Sequence, residues 1–318
     1  MTAIVPGMPR QRWTAEQIPD LDGRVFVVTG ANSGLGLATT RALAAHGGQV
    51  VLAVRDEEKG RRAAAEVTAG TPDATVGVHG VDLTDLDSVR SFAKRLHDEH
   101  GRVDVLINNA GVMAPPRTLT PAGHEVQFAA NHLGHFALTG LLLDLLTVGR
   151  DPRVVTVTST NHRQARMRFD DLTGERRYSA MGFYNMSKLA NAIFGWELHR
   201  RLTDAGSPVR SILAHPGYTA TNLQTAATTG MWKLLLGRLG NPMLAQPVER
   251  GAWPQLYAAT DPGAQAGQLI GPDGIAELRG HPRPVKLAAA ATDPANGRRL
   301  WELSEQATGV RFAFAAAV

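Results

Sequence analysis

The sequence predicts an α/β fold: a single doubly wound sheet of about seven largely parallel strands, flanked by helices on both faces. Three observations predict it. From Arg24 onward, short continuous runs of Val, Leu and Ile alternate with longer segments of helical periodicity. Such runs suit strands that are buried on both faces. The first run, Val25-Phe26-Val27-Val28, passes through a glycine-rich turn, Thr29-Gly30-Ala31-Asn32-Ser33-Gly34-Leu35-Gly36, into a helical pattern from Leu37 to His46. Most later runs end in small or polar residues, at the edge of the sheet where folds of this class hold their ligands.

Taken in order, residues 1–20 form a poorly ordered lead-in, and residues 21–318 form one domain. Further strands are expected at Gln49 to Val54, Ala74 to Val78, Val103 to Asn108, Arg153 to Thr158 and Val209 to His215, with a short seventh at Gln268 to Gly271. Helical patterns cover Glu57 to Ala69, Leu86 to His100, a long stretch from Glu125 to Leu146, and Tyr184 to Leu202. Two regions break the alternation. Residues 217–246 form an insertion before the last strand that lacks a strand pattern but carries Met231, Trp232, Leu234, Leu235, Leu236 and Leu239. Beyond residue 272 comes a Pro- and Ala-rich C-terminal extension with one last helix, Ala295 to Ala307.

Composition narrows the function. A hydrophobic content of 43% and a charged content of 19% describe an ordinary soluble globular chain. The net charge of +4 is scattered, with no Lys/Arg run longer than pairs such as Arg61-Arg62, so no nucleic-acid partner is expected. The absence of cysteine excludes disulfides, thiolate catalysis and Cys-ligated metals. No spacing among the 11 histidines suggests a metal site. With no apolar run of roughly 18 residues, no membrane span is expected, and the N-terminus has no secretory signal core; a cytoplasmic protein is the expectation.

The chemistry is read at the strand ends. Glycines at 30, 34 and 36 remove Cβ atoms from the first turn. The helix that follows directs free N–H groups and partial positive charge into it, which suits a pyrophosphate. After the second strand, Asp56 is placed to bind a ribose 2′-OH, whereas Arg55 favours a 2′-phosphate, because Val54 ends the strand without an acid. Asp82-Leu83 offers a carboxylate to an adenine amino group, and Asn108-Asn109-Ala110-Gly111 is small enough for close approach to a cofactor. The fifth strand ends in Thr158-Ser159-Thr160. Tyr184 and Lys188, at i and i+4, share one helical face. A phenol titrates near pH 10, and a neighbouring ammonium lowers that value toward use in proton transfer.

Together these residues resemble the short-chain dehydrogenase/reductase superfamily. The glycine turn, Asp82-Leu83, Asn108-Asn109-Ala110-Gly111, Asn131, Ser159, Tyr184 with Lys188, and Pro216-Gly217 with Thr221 follow that family's order over about residues 22–260. The stretches Asn131-His132-Leu133-Gly134-His135-Phe136 and Ser187-Lys188-Leu189-Ala190-Asn191, with His215-Pro216-Gly217, are most similar to the retinol-dehydrogenase-like and WW-domain oxidoreductase-like subgroup. The resemblance implies a Rossmann-type domain and an NADP(H)-dependent oxidoreductase, with NAD(H) as the alternative. It implies that Tyr184 is the general acid/base and that Ser159 orients the carbonyl. Lys188 would lower the Tyr184 pKa and hold the ribose, and Asn131 would support a proton relay through water. Implied cofactor contacts are Gly30, Asn32, Ser33, Gly34, Leu35 and Gly36 in the first turn, then Arg55, Asp82, Leu83, Asn109, Ala110 and Gly111. Tyr184, Lys188, Pro216, Gly217, Thr219 and Thr221 complete the set, while Thr160, Tyr218 and Trp232 face substrate. His132, His135 and His215 are assigned hydrogen-bonding rather than catalytic roles.

The alternative function is a non-enzymatic NADP-binding scaffold or sensor, against which the retention of Tyr184, Lys188, Ser159 and Asn131 argues. For the substrate, the apolar residues of 220–245 alternate with Gly230, Gly237 and Gly240, which suits a hinged cover over a lipophilic ketone, aldehyde or alcohol. The competing reading of that segment is a buried core helix. The expected partner is thus a small lipophilic molecule, and a homo-oligomer is left open.

Overall fold

The computed structural model describes residues 12–219 and 246–314. Thr221, Trp232 and the expected apolar cover lie outside the described residues.

Eight strands form one sheet in the order β3-β2-β1-β4-β5-β6-β7-β8, one strand more than the sequence suggested. They are β1 Val25–Thr29, β2 Gln49–Val54, β3 Val76–Gly80, β4 Val105–Asn108, β5 Arg153–Val157, β6 Arg210–Ala214, β7 Leu269–Pro272 and β8 Pro282–Val285. The central strands β1, β4 and β5 are buried at every position, as their continuous apolar runs require. β3, at one edge, is half-buried throughout.

At the other edge lies β8, antiparallel to β7, in a stretch that the sequence presented as irregular because of its prolines. Pro284 opposes Ile270 and Pro282 opposes Pro272. An edge strand bonds to a neighbour on one side only, so it tolerates residues without an N–H. The Pro-rich extension therefore closes the sheet instead of leaving it.

Helices α1 Gly34–Ala45, α2 Glu57–Gly70 and α3 Leu86–Glu99 follow the first three strands. The single helix expected from Glu125 to Leu146 is divided. A short α4, Val126–Phe128, runs into a π-helical turn, Ala129–Leu133, then α5, Gly134–Leu141, and α6, Leu143–Thr147. Gly134 explains how closely this segment packs: a Cβ there would lie 2.3 Å from the Leu83 carbonyl oxygen. The π turn carries Asn131, and such widened turns recur at functional sites.

After β5 comes the long α7, Ala180–Asp204, which begins before the expected Tyr184 because Ser179 caps it, accepting from Gly182 N. Then come α8 Val248–Gly251 and α9 Trp253–Thr260, α10 Ala289–Thr292 and α11 Pro294–Thr308. Asp293 caps α11, accepting from Ala295 N, and Gly309 ends it at φ 66. The helix lays Trp301 on α5 and α7. Its ring centroid lies 5.0 Å from Phe136, 6.0 Å from Phe194 and 4.6 Å from Phe312. The C-terminal extension is thus integral to the core. Trp301→Ala is expected to lower the unfolding free energy by about 3–5 kcal/mol in a denaturant titration; a loss below about 1 kcal/mol would contradict this packing account.

Candidate active site

β1 and β4 lie side by side where the strand order reverses, so the ends of both reach one crevice. Thr29 Oγ1 accepts from the backbone N–H of Asn109 and of Ala110, each at 2.9 Å. Asn109 Nδ2 donates back to the Thr29 carbonyl at 2.7 Å, so this side chain braces the turn. Gly30 has φ +67, and a Cβ there would lie 3.0 Å from Ala110 Cα. A Cβ on Gly36 would lie 2.4 Å from the Gly30 carbonyl. Both glycines are therefore demanded by close packing of the turn.

Ser33 stands at the N-cap of α1 with no side-chain cap bond, leaving the first-turn amides of Gly34, Leu35 and Gly36 without a side-chain acceptor. Ser33 is exposed, with Asn32 and Leu35 half-buried beside it. A helix start bared in this way fits an anionic pyrophosphate.

Along the same edge, Arg55 is exposed and has no ion pair among the described residues. Asp56, the competing candidate, caps α2: it accepts from Lys59 N at 3.1 Å and pairs with Lys59 Nζ at 2.9 Å. Asp82 Oδ1 accepts from Thr84 N at 2.8 Å and Thr84 Oγ1 at 2.7 Å, and Leu83 is buried in the core.

Tyr184 and Lys188 lie on α7, only 7% and 4% exposed. The Ser159 hydroxyl lies beside the Tyr184 phenol and acts to lower its pKa. Lys188 Nζ lies 5.9 Å from the Tyr184 ring centroid and donates to the Val157 carbonyl at 3.3 Å. Gly111 faces both Lys188 and Asn131: a Cβ there would lie 3.4 Å from Lys188 Nζ and 3.2 Å from Asn131 Oδ1. The Asn131 side chain accepts from Val112 N at 2.8 Å and donates to the Val112 carbonyl at 3.0 Å and to Ser187 Oγ at 2.8 Å. Its amide is thus engaged in tying the loop after Gly111 to α7.

Burial dominates the electrostatics here. It pushes the Tyr184 phenol up to about 12, against a smaller lowering by the Ser159 hydrogen bond. It also pushes the Lys188 ammonium down to about 8. The sequence-based expectation that Lys188 lowers the Tyr184 pKa is thus not met in this geometry. Desolvation of the buried phenol sets the direction of its shift, and only Ser159 acts against it.

At the end of β6, Gly217 has φ +66, and a Cβ there would lie 2.4 Å from the Leu278 carbonyl. Thr219 is buried, donating Oγ1–H to the Pro216 carbonyl at 2.9 Å; Tyr218, before it, and Thr160, after Ser159, are half-buried. Pattern reading missed Gln255, His162 and Glu277. Gln255 Nε2 donates to Thr39 Oγ1 at 2.5 Å and to Asn109 Oδ1 at 3.3 Å, tying α9 to α1 and to the loop after β4. None of the three has a local signal, since each acts across the fold. Among the described residues no three potential metal ligands cluster, and no helix is long and apolar enough to cross a membrane.

A sheet of this order, with a bared helix start at its switch point, is the frame of a dinucleotide-binding oxidoreductase. The family profile described as short chain dehydrogenase matches residues 24–232, and the chain belongs to that family, in its retinol-dehydrogenase-like subgroup. It is an oxidoreductase of the kind that uses a nicotinamide cofactor. Human retinol dehydrogenase 12 is 37% identical over 292 residues, covering 92% of this chain and 88% of the relative. Mouse retinol dehydrogenase 11 is 39% identical over 288 residues, covering 89% and 86%. A solved structure of an uncharacterized protein from Mycobacterium Paratuberculosis is 43% identical with a TM-score of 0.79, covering 95% of this chain and all of that one.

Gly36→Ala tests the turn, because the added methyl group meets the Gly30 carbonyl and forces the loop open. Fluorescence titration is expected to show dinucleotide affinity reduced at least about tenfold, or about 1.4 kcal/mol. Unchanged affinity would remove the turn from the binding site.

Proposed function

We propose that this chain is an NADP(H)-dependent oxidoreductase that interconverts a lipophilic ketone or aldehyde with its alcohol. The observation that carries this reading is the buried Tyr184 phenol, with Ser159 from the C-terminal end of β5 beside it and Lys188 on the same helical face. The first-turn amides of α1 would hold the pyrophosphate, Arg55 the 2′-phosphate, and Lys188 the ribose. When bound, the nicotinamide supplies or accepts the hydride.

The chain's own residues manage the proton. With its pKa held at about 12, Tyr184 is protonated at neutrality and is ready to give its proton to the substrate oxygen during reduction. Ser159 donates a hydrogen bond to the same oxygen and sets its direction. In the oxidative direction the phenol must lose its proton, and the Lys188 charge is the group that stabilises the phenolate. Asn131, bound to both the N–H and the carbonyl of Val112, holds the wall of the site beside Lys188 and supports the proton's path to solvent. The lipophilic substrate class rests on the relatives, which are named for retinol, an apolar alcohol.

Two experiments test this reading. Arg55→Ala is expected to weaken NADPH binding by about ten- to a hundredfold, the worth of a charge-assisted bond of about 1.5–3 kcal/mol, and to leave NADH nearly unchanged. Equal dissociation constants for the two cofactors in the unmutated protein would reject the NADP preference. Tyr184→Phe is expected to lower kcat for carbonyl reduction by about 10²–10⁴-fold with cofactor binding intact.

In the unmutated enzyme, that kcat should fall as pH rises through about 8, where Lys188 loses its charge. The sign follows from burial, which depresses the ammonium, so the charged form exists below that pH. Lys188→Arg should remove this limb. A reduction rate that is flat across that range would deny Lys188 its role.

A further inference from the structure

Two short segments carry the reacting end of the proposed site. One is the 3-10 turn Thr160–Gln164, which follows Ser159; the other is the Pro216–Gly217 turn after β6. The turn between β7 and β8 reaches both. Glu277 Oε2 accepts from His215 Nε2 at 2.8 Å and from Arg163 Nη2 at 2.8 Å, and Oε1 accepts from Arg163 at 3.1 Å. His215 Nδ1 accepts from Gly217 N at 3.2 Å, so His215 is the Nε2–H tautomer and hands the Glu277 contact on to the glycine turn.

Backbone bonds run the same way. The Leu278 carbonyl accepts from Tyr218 N at 2.7 Å, and the Lys286 carbonyl accepts from Arg163 at 2.8 Å. Ala288 N donates to His162 Nε2 at 3.3 Å, and His162 Nδ1–H donates to the Ser159 carbonyl at 2.5 Å. The extension thus holds the Ser159 turn at its side chains and, through His162, at Ser159 itself.

This arrangement is made at a backbone cost. Ala276 and Glu277 stand at φ 52 and 57, the left-handed region that residues with a Cβ avoid. Non-glycine residues persist there where the surroundings over-determine them, and such positions cluster at functional sites. A glycine at 277 would be relaxed. The side chain is what the position retains, and its two partners belong to the two site-bearing segments.

We propose that Glu277 is a positioning residue for hydride transfer: its carboxylate clamps the Ser159 turn to the Pro216–Gly217 turn, and so fixes the Ser159 hydroxyl against Tyr184. The inference rests on the reaction proposed above. It extends the catalytic apparatus to the C-terminal extension, through a residue that acts by way of Arg163 and His215.

The test separates position from stability. Glu277→Gly relieves the strained φ while deleting the clamp, so melting should stay within about 2 °C of the unmutated protein. Steady-state kcat for carbonyl reduction should nevertheless fall about tenfold or more, since misplacement of the order of 1 Å costs up to about 10²-fold. Glu277→Gln, which keeps an acceptor for His215 but loses the charge facing Arg163, should fall between the two. Ala276→Gly relaxes the same turn with the carboxylate in place and should keep kcat within about twofold.

Hydrogen exchange by mass spectrometry should show amides in 159–164 opening faster in Glu277→Gly. A folded Glu277→Gly with kcat within about twofold would overturn the proposal, as would an equal loss in Ala276→Gly or unchanged exchange. If Glu277→Gly fails to fold, Glu277→Gln decides by the same measurements. If the unmutated protein reduces no lipophilic carbonyl, the proposed reaction fails, and exchange at 159–164 alone decides whether the clamp exists.

Discussion

The hydroxyl of Thr29 ties together the two strand ends on which the site is built. Where β1 and β4 part at the switch point, the backbone amides of Asn109 and Ala110 lose the sheet as a partner, and Thr29 Oγ1 accepts from both. Its own proton goes to His135 Nε2 at 2.8 Å, closer than the alternative acceptor, the Ile107 carbonyl at 3.4 Å. His135 then donates Nδ1–H to the Asn131 carbonyl at 3.0 Å. Burial holds this imidazole down to about 4, so it stays neutral and keeps one tautomer at ordinary pH. A buried chain of polar groups with every member satisfied specifies one arrangement and penalises others. Through it the glycine turn, the Asn109-Ala110 loop and the π turn of Asn131 are joined by one chain of hydrogen bonds.

The same burial sets the acid chemistry. Tyr184 and Lys188 are both desolvated, which favours the neutral form of each and moves their pKa values in opposite directions, to about 12 and about 8. A phenol buried beside Ser159 therefore keeps its proton at neutral pH in the free chain. Burial thus brings the ammonium's titration down from the usual lysine range to about 8.

The C-terminal third contributes more than its composition suggests. α11 covers α5 and α7 through an aromatic cluster, while His132 Nε2, next to Asn131, meets Ser304 Oγ at 2.8 Å. β8 extends the sheet at its edge, and the turn before it reaches Arg163 and His215 through Glu277. Elements far apart in the chain therefore meet around Ser159 and Tyr184.

How much of this was legible follows from the range of each interaction. The glycine turn, the strand runs and the Tyr184–Lys188 pair obey local rules, where spacing along the chain equals spacing in space: three glycines beside a helix start, unbroken apolar runs, and four residues per helical step. The sequence by itself determined the parallel part of the sheet, the glycine turn at its switch point and the placing of Tyr184 and Lys188 on one helix. It did not determine the π turn, because Gly134 is pressed against Leu83, a residue of the β3–α3 loop. Nor did it determine β8, where prolines argue against a strand until an edge makes them acceptable. The sign of the Tyr184 shift was also decided only in three dimensions, because an i+4 ammonium is visible in the chain whereas the desolvation that outweighs it comes from packed neighbours. His135, His162 and Glu277 hold their partners across 106, 126 and 62 residues of chain. No periodicity spans such distances; only the folded sheet brings those atoms within a hydrogen bond.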